Sequence, residues 1–254
     1  MEYNLNFIKQ KDFEKHVKNT LNQYNKTLES INLEKFNKNI IDPIKLLFDK
    51  NVMKESFEEL INMEIYRQRD KTNTNVIGYF HQNMFKYIKN CQVPDLGWDI
   101  IYKASDSNDI YYVEMKNKHN TMNSSSSSKI FMRMQNHLLN SKDRENSIGA
   151  LVEVIAKQSQ NIPWVITLDS VKQHSNERLR RISIDKFYEI VTGEKYAFRD
   201  ICIQLPKTIE KIIVANNSLQ VKEDTVVEEL EKLGSDKLIA LYKLAFKTYE
   251  GFNF

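Results

Sequence analysis

Two stretches that alternate in the manner of β-strands, residues 98–104 and 110–118, sit in a chain whose remaining apolar residues mostly recur at helical spacing. They constrain the fold more than any other feature. Both are rich in Ile, Tyr and Val, which suit a pleated, half-buried surface. Between them, Ser105-Asp106-Ser107-Asn108-Asp109 is a run of turn formers, so the pair reads as a β-hairpin. Strand residues two apart share a face. Tyr111, Val113 and Met115 form an apolar face, and Tyr112, Glu114, Lys116 and Lys118 the other. On the first strand, Trp98, Ile100, Tyr102 and Ala104 are one set, and Asp99, Ile101 and Lys103 the other. A four-residue connection over Asp106 to Asp109 pairs Ser105 with Ile110, Lys103 with Tyr112, Ile101 with Glu114, and Asp99 with Lys116. Asp99 then lies diagonal to Glu114, about 7–8 Å away at the backbone. A one-residue slip would send Asp99 to the opposite face.

Residues 7–88 read as helices, with periodic apolar positions over 13–28 and 57–65. Asp42-Pro43 is a helix start. Val76, Phe80, Met84 and Ile88 mark a further helix over 75–88, and 92–97 is a loop. Beyond the hairpin, the pattern predicts a helix over 128–139, buried strands over 150–156 and 164–168, a helix over 184–191 ended by Gly193, and a last strand over 201–205. The tail, 223–246, reads as two helices, Gly234 ending the first and Ser235-Asp236 opening the second. The expected fold is α/β (α+β mixed): a central mixed sheet with the hairpin, flanked by helices. The expectation is one domain over 1–254, with a helical N-terminal part (1–90), a core (75–205) and a helical C-terminal part (222–254).

Lys and Arg number 37 against 34 Asp and Glu, a net charge of +3, which excludes a histone-like polycation. Only 6 Gly and 4 Pro exclude collagen-like and linker-dominated chains. From Lys116 to Arg144, however, six basic residues face Asp143 alone, a surplus larger than that of the whole chain. A local concentration of this kind suits a polyanion. Cys91 and Cys202 stand far apart, which gives no support to a zinc site or a disulfide framework. No stretch approaches the roughly 20 apolar residues of a membrane span, and Met1 to Asn6 shows no signal-peptide pattern, so a cytoplasmic location is expected.

A Glu-x-Lys on a strand is most often a solvated polar face. Asp99 on the matching face changes its meaning. Two unpaired carboxylates repel, and a divalent cation neutralises them. Mg²⁺ takes one or two carboxylates together with water and phosphate oxygens, and can polarise a phosphate and activate water. Lys116 adds positive charge where a phosphoryl transition state gathers negative charge.

These residues resemble the PD-(D/E)xK nuclease superfamily, with the motif reading Pro94-Asp95, Asp99 and Glu114-Met115-Lys116. More narrowly, three pieces resemble the type II restriction endonucleases that cut GGNCC-type sites. They are Ile77-Gly78-Tyr79-Phe80-His81-Gln82, Gly97-Trp98-Asp99-Ile100, and Glu114-Met115-Lys116-Asn117-Lys118-His119-Asn120-Thr121-Met122-Asn123; residues 182–193 are a weaker fourth. The resemblance implies a mixed sheet flanked by helices, Mg²⁺ as cofactor and a homodimer matched to a palindromic site. It implies Asp99 and Glu114 as metal ligands and Lys116 as the lysine that positions water. Asp95 is the alternative first ligand; its plain reading is a turn residue after Pro94. Gln82 stands where many relatives carry Glu and is an auxiliary candidate, as is Gln135. His81 reads as a packed or capping histidine.

Two segments are candidates for DNA contact. One carries Lys118, His119, Asn120, Asn123, Lys129 and Arg133; its plain reading is a polar loop. The other carries Lys172, Asn176, Arg178 and Arg181; its plain reading is a solvated helix face. Amides, hydroxyls and cations suit phosphates, and Arg suits guanine. The reading is therefore a Mg²⁺-dependent type II restriction endonuclease acting on double-stranded DNA, with a cognate DNA methyltransferase encoded nearby. The competing readings are a repair or junction-resolving nuclease of the same superfamily and a DNA-binding protein without activity.

Overall fold

The computed structural model describes residues 3–168, 171–215 and 222–246. Its strands are β1 (Cys91–Gln92), β2 (Ile100–Lys103), β3 (Ile110–Lys118), β4 (Ser147–Ile155), β5 (Asn161–Pro163), β6 (Thr167–Leu168), β7 (Val171–Lys172) and β8 (Leu179–Ser183). Six of them form one sheet in the order β1-β2-β3-β4-β8-β5. The β2–β3 hairpin is antiparallel, whereas β3–β4 and β4–β8 are parallel. The sheet is thus mixed, as expected. Parallel neighbours need a long crossover, and the helix Ser124–Asn140 supplies it between β3 and β4. β6 and β7 form a separate two-stranded sheet.

The helices are α1 (Gln10–Thr27), α2 (Leu33–Asn37), α3 (Pro43–Met53), α4 (Phe57–Met84), α5 (Ser124–Asn140), α6 (Ile184–Thr192), α7 (Ala197–Ala215), α8 (Val226–Leu233) and α9 (Lys237–Ala245). Capping explains several boundaries. Asp42 accepts from the Ile44 and Lys45 amides ahead of α3, and Asp236 from Leu238 and Ile239 ahead of α9. Gly193 closes α6 at φ 75°, a backbone region that costs other residues more than glycine. The periodicity expected over 57–65 and most of that expected over 75–88 belong to one 28-residue helix, α4, because residues 66–74 contain neither Gly nor Pro; it ends at Met84, and a 3₁₀ turn, Phe85–Tyr87, follows.

The contacts gather the chain into two compact units. The first comprises Met1–Thr20 and Ile77–Asn216; the second comprises Leu21–Val76 and Asn217–Phe254. The first holds the sheets. Its α5 buries Phe131, Met134 and Leu138 against Leu151, Trp164 and Leu179. The second is helical, and its core joins Phe36, Ile41, Leu46, Leu60, Ile61 and Ile65 to Val226, Leu230, Ala240 and Leu241.

Three local expectations are corrected. Residues 201–205 are not a strand but part of α7, whose buried Ala197, Ile201 and Thr208 recur at helical spacing and which continues through Pro206. The run 164–168 is not one strand: buried Trp164 and Ile166 precede β6 as packed loop residues. The arginine-rich run ends in β8, a strand inside the sheet rather than a helix face.

Candidate active site

The hairpin register differs from the expected one by two residues. Ile100 faces Val113, Ile101 faces Tyr112, and Lys103 faces Ile110. The reason lies in the turn. Ala104 N–H donates to Asp109 O at 2.9 Å, so the connection is Ser105 to Asn108, one residue earlier than expected. Ser107 Oγ accepts from Asp109 N–H and donates to its carboxylate, which fixes this turn. A shift of two leaves every side chain on its expected face. Continued by one pair, the same register sets Asp99 directly opposite Glu114 rather than diagonal to it, and Asp99 N–H donates to Val113 O at 2.9 Å.

Asp99 is held by its surroundings. Its Oδ2 accepts the Met115 N–H at 2.7 Å, and the Gln82 side-chain amide donates to its backbone carbonyl at 3.2 Å. Burial pushes the Asp99 carboxyl above its ordinary range; the Met115 N–H opposes this, Glu114 raises it further, and Lys116 and Arg133 lower it. Glu114 keeps only 13% of its side chain exposed. Lys116 Nζ lies 2.7 Å from its Oε1. Arg133, from α5, reaches Oε2 at 3.4 Å, donates to Gly97 O at 2.9 Å and lies 3.9 Å over the Trp98 ring.

Beside these groups opens a cavity of about 470 Å³ lined by Glu114, Lys116, Thr121, Met122, Ser126, Lys129, Ile130 and Arg133. Three cations and one carboxylate give it a positive lining, which favours an anion. Among the described residues no three His, Cys, Asp or Glu side chains converge as a metal cage. Two facing carboxylates beside an open, cation-lined subsite still fit Mg²⁺, which binds few protein oxygens and completes its shell with water and phosphate; they do not fit a structural zinc site. Cys91 and Cys202 are free thiols.

Comparison with known proteins identifies the family. The model of a family described as Eco47II restriction endonuclease matches residues 5–214. The chain belongs to the Eco47II restriction endonuclease family. It is 30% identical over 213 residues to the type II restriction enzyme Sau96I of Staphylococcus aureus, covering 81% of this chain and 80% of that one. It is 26% identical over 214 residues to the type II restriction enzyme Eco47II of Escherichia coli, covering 82% and 88%.

Within this family member, the structure gathers some of the expected residues and disperses others. Lys129 and Arg133 line the cavity with Glu114 and Lys116. Asp95 lies exposed in the loop before Gly97, while Asp99 is tied to β3. Asn123 caps α5, its Oδ1 accepting the Ser126 N–H at 2.8 Å. His119 ends β3 by donating its backbone N–H to Ile155 O at 3.0 Å; Lys118 and Asn120 nearby are exposed. Gln135 is half-buried on α5, and the hydrogen bonds around Asp99, Glu114 and Lys116 do not include it. Lys172 is exposed on β7. Asn176 caps its own loop by accepting the Arg178 N–H, and the Arg178 guanidinium donates to the carbonyls of Arg144 and Glu145 at 2.7 and 2.8 Å. Arg181 commits two donors to Glu153 on β4, at 3.0 and 2.6 Å.

Sequence reasoning missed two participants. Trp98, the platform under Arg133, reads only as an apolar strand residue. Glu153, fully buried and paired in register with Lys116, hides in an apolar run. A charged residue inside such a run was the available signal, because Glu is rarely buried without a partner. His81 is half-buried in α4, edge-on to Phe80 at 5.3 Å, which is the packed role expected.

Proposed function

We propose that this restriction endonuclease hydrolyses phosphodiester bonds of double-stranded DNA with Mg²⁺ held by Asp99 and Glu114, and with Lys116 orienting the attacking water. The observation that carries the reading is Asp99 opposite Glu114, with Lys116 two residues along the same face. When bound, Mg²⁺ supplies Lewis-acid polarisation of the phosphate and a water of lowered pKa. The protein does the rest. The Met115 N–H fixes the Asp99 carboxylate. Lys116, Lys129 and Arg133 line the cavity and offset the negative charge that grows on the phosphate oxygens as water adds to phosphorus and a P–O bond breaks.

The site would be a short palindrome of the GGNCC type. Two copies of the chain, related by a two-fold axis, would match its symmetry. A DNA methyltransferase encoded nearby would protect the host, and the enzyme would work in the cytoplasm; in the described residues no helix is long and apolar enough to cross a membrane. The test is incubation of purified protein with unmethylated plasmid and Mg²⁺, followed by sequencing of the fragment ends. Discrete fragments sharing one GGNCC-type terminal sequence support the reading. Intact plasmid across a range of divalent metals refutes the nuclease chemistry, and cuts at random or branched positions refute the restriction specificity.

A further inference from the structure

Arg133 holds a position that conflicts with metal binding at Glu114. Both Glu114 oxygens are engaged by cations of the protein, Oε1 by Lys116 and Oε2 by Arg133. A divalent cation at Glu114 must therefore displace a positive charge. Lys116 is held to Glu114 by a 2.7 Å hydrogen bond and also acts on the Asp99 carboxyl. Arg133 has two anchors independent of Glu114: the Gly97 carbonyl and the face of Trp98. Both belong to the segment just before Asp99. Released from Glu114, its guanidinium stays in place, and a guanidinium carries five N–H donors. Arg133 borders the cavity that Lys116, Lys129 and Ser126 also line.

We propose that Arg133 couples metal binding to DNA binding. In the DNA-free protein it neutralises Glu114 and weakens the site for divalent cations; with a cation at Glu114, it turns its donors to a DNA phosphate in the cavity. Each ligand thereby favours the other, and the coupling is reciprocal, as linkage requires. The inference rests on the metal site proposed above and adds a positioning role for Arg133 that a plain phosphate contact would not have.

The experiment uses the full chain and Ca²⁺, a hard divalent ion that seeks oxygen ligands. Calorimetry gives Ca²⁺ affinity without DNA, and fluorescence anisotropy gives affinity for a plasmid-derived duplex with and without Ca²⁺. Arg133→Gln is expected to bind Ca²⁺ about fivefold more tightly than the wild type, the scale of one partly exposed ion pair. The improvement in DNA affinity on adding Ca²⁺ should shrink in the same variant. Arg133→Lys, which keeps the charge, should bind Ca²⁺ like the wild type. If Arg133→Gln matches the wild type in both Ca²⁺ affinity and the Ca²⁺ effect on DNA binding, the coupling role is overturned while the metal site stands. If the wild type binds no Ca²⁺, or Glu114→Gln binds it equally well, the metal site and the coupling fall together.

Discussion

Removal of the Arg181 side chain should destabilise the sheet-bearing unit more than removal of its partner. Glu153 is fully buried on β4, and both its oxygens accept from Arg181 on β8, at 3.0 and 2.6 Å. Arg181 keeps 30% of its side chain exposed. Arg181→Met leaves a buried carboxylate in the sheet without its bidentate partner. Breaking a buried pair in this way costs about 3–5 kcal/mol; the partial exposure of Arg181 lets some water approach, so about 2–3 kcal/mol is expected. Glu153→Leu leaves an arginine that can extend into solvent, and should cost less, about 1 kcal/mol. The double variant replaces both charges with apolar groups, and should recover most of the loss. Urea unfolding followed by tryptophan fluorescence is the assay, because the 2 tryptophans, Trp98 and Trp164, both lie in the first unit. The reasoning is refuted if Arg181→Met costs no more than Glu153→Leu, or if the double variant loses the sum of the two single losses.

Two further outcomes follow from the same packing. A Cβ on Gly149 would stand 3.0 Å from Met134 Cβ and 3.1 Å from Leu179 Cδ2, so Gly149→Ala should push α5 from the sheet at a cost of about 1–3 kcal/mol and slow cleavage by displacing Arg133; an unchanged urea midpoint would contradict it. Burial lowers the His81 pKa from 6.5 to about 4. Its neutral form is the folded one, so the unfolded chain takes up the proton first as pH falls, and stability present above pH 6.5 should decline toward pH 4, by about 2 kcal/mol for a half-buried ring. Urea titrations at pH 7.5 and pH 5 should show a smaller decline for His81→Gln, and an equal decline would remove His81 as the cause.

The hairpin was legible because its two periods are local: alternation assigned Asp99, Glu114 and Lys116 to one face, and the observed register keeps them there. The exact pairing was not, since Ser105 to Asn108 and Asp106 to Asp109 make connections of equal length, and the Ser107 and Asp109 hydrogen bonds favour the first. Caps such as Asp42 and Asp236 were likewise readable as residues beside periodic runs. The failures are tertiary. β8 became a strand through pairing with β4 and β5, which no local pattern in Leu179–Ser183 announces. Arg181 looked free for DNA because Glu153 is 28 positions away in sequence. Arg133 meets Glu114 and Trp98 only once α5 folds back over the sheet, so its charge was visible but its partner was not.

The central claim is that Asp99, Glu114 and Lys116 form the cleavage centre. Its most direct test is the single-turnover cleavage rate of Glu114→Gln on unmethylated plasmid at saturating Mg²⁺, with folding checked by circular dichroism and DNA affinity measured in parallel. The variant removes a charge while keeping the shape of the side chain. The account predicts a folded protein that still binds DNA and cleaves at least about 10²-fold more slowly, as expected for loss of a group that acts at the reacting phosphate. A folded Glu114→Gln that cuts at the wild-type rate would contradict it.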